Sequence, residues 1–488
     1  MARPVDEESA DQLIDLGEFI AGSEPDRTAD GRTDDPVRTP RALALVVVAI
    51  LTLTCLFADS AAVTPQVALT VPTARGDFQV AGDVLYIFDG SYPPNRVSAY
   101  GLREGRLLWQ KTAPVGAVYE DVTQVGTRTL LVPDPCSASR PVTTVALDTR
   151  TGEEAWRRPG VPEQSIADGR LIVLSRPGPT YGCGGAYPPS DQLPVYWDAI
   201  DTRTGAVHWS TEVPALPRTA FDAYDGTAQR VVLVASDGTT TSRNLVTGEV
   251  TGRTTLPELA VSAKPAGTAG TFDEIANPQL AVAGGEAMVM RPIDTASERP
   301  GAGERPGLVE ITAYDLVTLR RRWTAQTTVG PADPRSGNYV VVSGCGVMVC
   351  LYAPMATVLL DPRTGGERWR TGQSLLAIDG DRVLLAAQAS GDPTVPAGLT
   401  IRNLRTGKLL ADLAGWPVFA GSRSYAGTPV LGFAAHNRTW FARLDLREAR
   451  LTRAGSVPGL YYSCVGQGDY LACRRLDGAV RAWRIAGV

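Results

Sequence analysis

Asp148-Thr149-Arg150-Thr151-Gly152-Glu153-Glu154-Ala155-Trp156 sets an acid, two hydroxyls, a glycine and a tryptophan at fixed offsets, and versions of it return along the chain. The same spacing runs from Glu104-Gly105 to Trp109, from Thr204-Gly205 to Trp209 and from Thr364-Gly365 to Trp369. Thr247-Gly248 and Thr406-Gly407 lose the tryptophan. Leu319 replaces the glycine where Trp323 is kept, and Ala449 replaces it in a last copy. The copies centre on 105, 152, 205, 248, 319, 365, 407 and 449, mostly 42 to 53 residues apart. Such a period marks stacked or radial repeats.

Each unit reads alike. A short alternating strand and a turn lead to a second strand such as residues 84–88. A variable loop, a third strand such as 142–147 and the hairpin follow. The Asp side chain caps the hairpin, and Gly takes the positive φ that closes it. The tryptophan four residues on offers a large apolar face to a neighbouring unit. Four antiparallel strands per period, with no helical stretch between, is the pattern of a propeller blade. The C-terminus supplies only three strands, 461–465, 469–474 and 479–484, and residues 67–71 are placed to supply the fourth. The expected fold is all-β, a single β-propeller over 66–488. Eight blades are expected, with one unit degenerate, and nine on a strict count is the alternative.

The pattern Leu147-Asp148-x-x-Thr151-Gly152-x-x-x-Trp156 resembles that of the pyrroloquinoline-quinone-like (PQQ-like) repeat propellers. The resemblance implies about eight blades with Trp109, Trp156, Trp209, Trp323 and Trp369 docked between them. It also implies one of two roles: a quinone-dependent dehydrogenase, or a non-catalytic scaffold that binds proteins at a cell envelope. The quinone enzymes need a cofactor bed and a calcium site, and many carry adjacent cysteines. No Cys-Cys pair occurs here.

Ahead of the repeats, residues 1–41 carry 11 acidic and 5 basic side chains, a net of -6 within a whole-chain charge of -5. Their polar, Gly- and Pro-broken composition predicts a disordered tail, with Leu13 to Ile20 as one short amphipathic stretch. The near-neutral remainder presents no strong field for nucleic acid. Lysine occurs only at 111, 264 and 408, so arginine supplies nearly all the positive charge, the bias of a GC-rich bacterial source. From Ala42 to Ala58 the chain is apolar and uncharged, and the flank extends the segment to Ala62. Seventeen residues are the short end of a bilayer span. Arg27, Arg32, Arg38 and Arg41 precede it, and the next basic residue is Arg75. That asymmetry predicts a single-pass anchor at 42–62 in the cell membrane, N-terminus cytoplasmic and propeller outside. A cleaved signal peptide ending near Ala62 is the competing reading, and lipidation at Cys55 a weaker one. Six further cysteines, Cys136, Cys183, Cys345, Cys350, Cys464 and Cys473, fit an oxidising compartment. The expected pairs are Cys136–Cys183 across adjacent blades, and Cys345–Cys350 and Cys464–Cys473 within hairpins.

In a four-stranded meander the first and third turns share one face, and the second loop and the link to the next blade share the other. The insertions at 89–95, 133–142, 176–194, 291–308 and 388–398 all join second to third strands, and 256–278 is an interblade link. Function is therefore expected on that long-loop face. Tyr92, Tyr181 and Tyr187 are candidate binding residues; Tyr92-Pro93-Pro94 recurs as Tyr187-Pro188-Pro189. The turn face is expected nearest the membrane, because the chain enters there ahead of the closing strand.

No catalytic or metal-binding residue is assigned. His208 and His436 are the only histidines and fit packing or surface positions. Asp379-Gly380-Asp381 fits a strand turn as well as it fits calcium, and Asn437-Arg438-Thr439 is a bare glycosylation triplet. No cofactor is expected for a binding or scaffold module whose partner is an envelope protein or wall-associated ligand. PQQ and Ca²⁺ belong to the alternative, a quinone-dependent envelope oxidoreductase.

Overall fold

The computed structural model describes residues 65–485 except 73–75, 90–94, 115–117, 134–142, 168, 177–194, 214–217, 224–227, 261–277, 294–305, 332–339, 354–355, 388–397, 414 and 417–429. The chain divides into Met1–Ala61 and Ala62–Val488. The first unit, with the expected tail and most of the 42–62 span, lies outside the described residues. None of the described helices is long and apolar enough to cross a membrane.

Among the described residues the second unit forms nine antiparallel sheets in chain order, blades 1 to 9. Their extents are 77–112, 119–159, 161–213, 218–255, 279–331, 341–371, 374–412, 430–458 and 461–484. Seven are four-stranded meanders, and three strands of blade 8 are described. Blade 9 takes its fourth strand, Gln66–Val71, from the start of the unit, antiparallel to Val480–Arg484. The expected closing strand is thus in place.

Second strands such as Val84–Asp89 are buried on both faces because a blade is sandwiched between two others. Fourth strands such as Val207–Val213 are largely exposed on the rim. The buried core is accordingly a set of layers between blades. Nine apolar clusters are described, each shared by consecutive blades, as Val125, Leu130 and Trp156 meet Ile172, Leu174 and Ile200 between blades 2 and 3. The ninth joins blade 9 to blade 1 through Ala472, Val480 and Ala482 against Val80, Leu85 and Ile87.

Nine blades is the strict count, and two turns explain why no unit drops out. Leu319 and Ala449 stand where the other turns have glycine, yet they adopt the same left-handed conformation, φ 55° and 50°. Both turns therefore close their hairpins. A non-glycine residue in that conformation costs about 1–2 kcal/mol. Ala449→Gly is accordingly expected to raise stability by about 1 kcal/mol, read as a higher urea midpoint. Leu319→Gly should instead lower it, because Leu319 is buried and its removal forfeits more than the strain it relieves.

Two of the expected disulfides are present. Cys345–Cys350 and Cys464–Cys473 staple first-to-second-strand hairpins in blades 6 and 9, with Cα separations of 5.6 and 4.1 Å. Cys136 and Cys183 lie outside the described residues.

Candidate functional site

Every candidate must be assigned to one of the two faces, and the recurring hairpin occupies the first. Its opening Asp or Asn accepts hydrogen bonds from the two amides ahead of it. Asp148 Oδ1 accepts from Arg150 N and Thr151 N, each at 3.0 Å. Asp201 Oδ1 accepts from Arg203 N at 3.1 Å and from Thr204 N and Oγ1, each at 2.7 Å. Asn244 and Asn403 do the same with an amide oxygen. These are turn caps, and the acid is consumed in holding the backbone.

The caps carry a pH signature. The Thr151 amide above all holds the Asp148 carboxyl below the ordinary range, and the Thr204 hydroxyl does so for Asp201. The Thr318 amide lowers Asp315, and the Arg368 guanidinium lowers Asp361. A carboxyl titrating lower in the folded chain contributes stability that is present above its unfolded pKa and lost as pH falls through the folded value. The melting temperature is therefore expected to drop below about pH 4. Changing Asp148, Asp201 and Asp361 to Asn, as positions 244 and 403 already are, should flatten that acid slope.

The tryptophan works across blades. Trp109 Nε1 donates to Thr149 O at 3.0 Å, Trp156 to Thr202 O at 2.8 Å and Trp209 to Leu245 O at 2.9 Å. Trp323 donates to Pro362 O at 2.7 Å and Trp369 to Leu404 O at 2.8 Å. Each acceptor is the second residue of the next blade's hairpin. Each ring also lies against that hairpin's glycine: a Cβ on Gly152 would stand 2.5 Å from Trp109 Cγ, and one on Gly205 2.7 Å from Trp156 Cβ. The glycine thus supplies both the positive φ and the room for the preceding blade's indole. Sequence reading recognised the turn glycine but not this partner.

One seam is built differently. In blade 4 the tryptophan position is Gly252, and a Cβ there would lie 2.3 Å from Val317 O. Ser242 Oγ donates to Leu316 O in place of an indole. Restoring the repeat residue with Gly252→Trp is therefore expected to destabilise the chain, by at least the 1–3 kcal/mol typical of overpacking. A raised unfolding midpoint would contradict this.

Other polar candidates on this face are structural. Asp379 pairs with Arg447 at 2.8 Å, and Asp381 pairs with Arg382 at 2.7 Å and accepts from Asn403 Nδ2 at 3.1 Å. Asp379-Gly380-Asp381 is thus a partnered strand turn. His208 is exposed on the rim strand of blade 3. On the long-loop face instead, His436 and Asn437 form the tight second-to-third-strand turn of blade 8 at φ 51° and 55°. Thr439 Oγ1, in the glycosylation triplet, is spent on Gly459 O and Tyr461 N. Among the described residues no three His, Cys, Asp or Glu side chains converge as metal ligands.

The opposite face is marked by where the second strands end and the third begin. The connections 90–94, 134–142, 177–194, 294–305 and 388–397 all leave the sheets at this end. Their bases are fastened: Asp89 and Arg96 pair at 2.8 Å beneath 90–94, and Arg291 pairs with Glu310 beneath 294–305. Ile293, Leu460 and Leu476 are exposed on this face, Leu476 by 74%. Tyr92, Tyr181 and Tyr187 lie in these connections, outside the described residues.

Comparison with known proteins agrees with this architecture. A family model described as outer membrane protein assembly factor BamB matches residues 58–224 and 198–401. No curated protein matches the chain. Among solved structures, BamB from Moraxella catarrhalis is 15% identical over 76% of this chain and 99% of its own, with a TM-score of 0.34. The quinohemoprotein alcohol dehydrogenase ADHIIG from Pseudomonas putida HK5 is 13% identical over 66% of this chain and 63% of its own, with a TM-score of 0.35. The computationally designed protein Ika8 is 12% identical over 86% and 99%, with a TM-score of 0.39. With its family match spanning most of the propeller, the chain belongs to the PQQ-like repeat β-propellers whose model carries the BamB description.

Proposed function

We propose that this chain is a membrane-anchored, extracytoplasmic propeller that acts as a non-catalytic binding or scaffold module, with an envelope protein or wall-associated ligand held on the long-loop face. The observation that carries the reading is the division of labour between faces. The acid, hydroxyls and tryptophan that recur on the turn face are consumed in caps and interblade seams. All five long second-to-third-strand connections leave from the other face. The family description, an assembly factor, supports a scaffold role. Tyr92, Tyr181 and Tyr187 are the proposed contact residues, because aromatics carry binding energy and prolines beside two of them limit the ordering cost.

The anchor is the segment 42–62, read from its apolar run and the arginines that precede it. Under the alternative, a quinone-dependent oxidoreductase, PQQ and Ca²⁺ would need a ligand bed. Among the described residues no three His, Cys, Asp or Glu side chains converge to hold the Ca²⁺. The scaffold reading is tested by crosslinked pull-down from envelope fractions, comparing the intact chain with one whose 176–194 loop is shortened. Specific adducts should be lost with the loop. Equal capture by both chains would reject this face, and saturable PQQ and Ca²⁺ absorbance with dye-linked turnover would favour the oxidoreductase.

A further inference from the structure

We propose that the crown of hairpin tips on the turn face is a docking surface for an anionic lipid headgroup layer, an inference that rests on the membrane-anchored reading above. The third residue of the hairpin is arginine in six of blades 1 to 8 (Arg103, Arg150, Arg203, Arg363, Arg405 and Arg447) and valine in the other two (Val246 and Val317). All eight side chains are exposed, and none is acidic.

These tips are the outermost layer of their face. The hairpin's second residue donates its amide to the residue just before the blade's second strand: Thr149 to Thr127 at 3.1 Å, Thr202 to Arg170 at 2.9 Å, Leu404 to Asp381 at 2.7 Å. The second residue is therefore level with the inner turn, and the third stands beyond it. The acids of the lower layer are tied down, and the hairpin aspartates are spent as turn caps. Asp83 pairs with Arg150 at 2.6 Å, Asp379 with Arg447 at 2.8 Å, and Asp469 with Arg443 at 3.5 Å. Hairpin acids also occur: Glu104 pairs with Arg150 at 3.1 Å, and Glu153, Glu249 and Glu448 are exposed. Arg103, Arg203, Arg363 and Arg405 have no carboxylate partner within ion-pair distance among the described residues.

Aliphatic side chains select a bilayer over a soluble anion. Besides Val246 and Val317, the second residue after the turn glycine is an exposed aliphatic in four blades, Leu107, Val207, Val250 and Leu409. Guanidinium groups interleaved with aliphatic side chains suit the headgroup boundary, where each finds its own environment. Chain entry points the same way. Gln66 pairs with Arg484 at the hairpin end of the third strand, so the closing strand starts on this face. Only residues 62–65 join it to the apolar segment, a reach of about 14 Å at ~3.5 Å per residue.

The test uses the full chain in nanodiscs of phosphatidylcholine, alone or mixed equally with phosphatidylglycerol. The rate of phenylglyoxal modification at Arg203, Arg363 and Arg405 is followed by mass spectrometry, with Arg96 on the long-loop face as the control. Anionic lipid is expected to slow the three tip arginines by about fivefold, the effect of one headgroup contact per arginine. Arg96 should be unaffected, and high salt should restore the tip rates. A chain that enters the discs but shows equal tip rates in both lipids overturns this inference and leaves the anchor standing. Equal protection in both lipids, the result of contact with protein rather than lipid, overturns it as well. A chain that does not enter the discs overturns the anchor reading and this inference together.

Discussion

Deleting residues 66–71 is expected to abolish the folded ring. The strand pairs with Val480–Arg484 at five positions, 66 with 484, 67 with 483, 69 with 482, 70 with 481 and 71 with 480. At about 0.5–1.5 kcal/mol for each net backbone hydrogen bond, the pairing alone is worth roughly 3–7 kcal/mol. Val71 is buried, and Ala68 and Leu69 pack on the cluster that joins blades 9 and 1, so apolar burial adds to the loss. The total is comparable with the whole stability of an ordinary domain, about 5–15 kcal/mol. Deletion would also leave Val480–Arg484 as an unpaired edge, a template for association with other chains. Soluble, monomeric propeller with a native circular dichroism spectrum from a chain beginning at residue 72 would contradict this expectation.

Trp156→Ala should be the most damaging single substitution at a blade seam. The indole is buried against Gly205 of the next hairpin and donates to Thr202 O at 2.8 Å. Truncating a buried tryptophan costs about 3–5 kcal/mol. Here the cavity cannot collapse easily, because Gly205 has no side chain to move into it and holds φ at 72°. Trp156→Phe separates the two contributions: it keeps apolar contact, loses the donor, and should cost about 1–3 kcal/mol. Urea unfolding followed by circular dichroism reads both, and a midpoint shift for Trp156→Ala no larger than for Trp156→Phe would show that packing is not the main term.

The turn, its period and the three-strand C-terminus carry most of the architecture in the sequence alone, because capping acid, turn glycine and tryptophan are local signals at fixed spacing. The pairing of residues 66–71 with 480–484 was legible for a different reason: a closed ring leaves one strand missing at one end and one surplus at the other. The blade count was harder. It depended on whether Leu319 and Ala449 could hold a left-handed turn, and composition argues against a conformation that only the surrounding hairpin enforces. The seam of blades 4 and 5 was not legible at all. Gly252 reads as a lost tryptophan, whereas in space it admits the Val317 carbonyl and is answered by Ser242.

The candidate site was legible as a face but not as a set of contacts. Topology assigns a connection to one end of a sheet from strand order alone, so the long-loop face follows from sequence. Which side chains meet there depends on loops from different blades, and no periodicity couples Tyr92 to Tyr187. Asp148 shows the opposite case, since its acid, hydroxyl and aromatic neighbours suggest chemistry until Thr151 N and Thr204 N are seen bonded to Asp148 and Asp201. The same residues then read as the device that shapes each blade.

The claim that the two faces have different work is tested most directly by placing one photo-crosslinking residue per variant in the full chain, at Tyr92, Tyr187 or Arg203, and comparing protein adducts after illumination of intact envelopes. Discrete protein adducts from positions 92 and 187, with none from 203, are the predicted result. Protein adducts from position 203 with none from the two tyrosine positions would contradict the account.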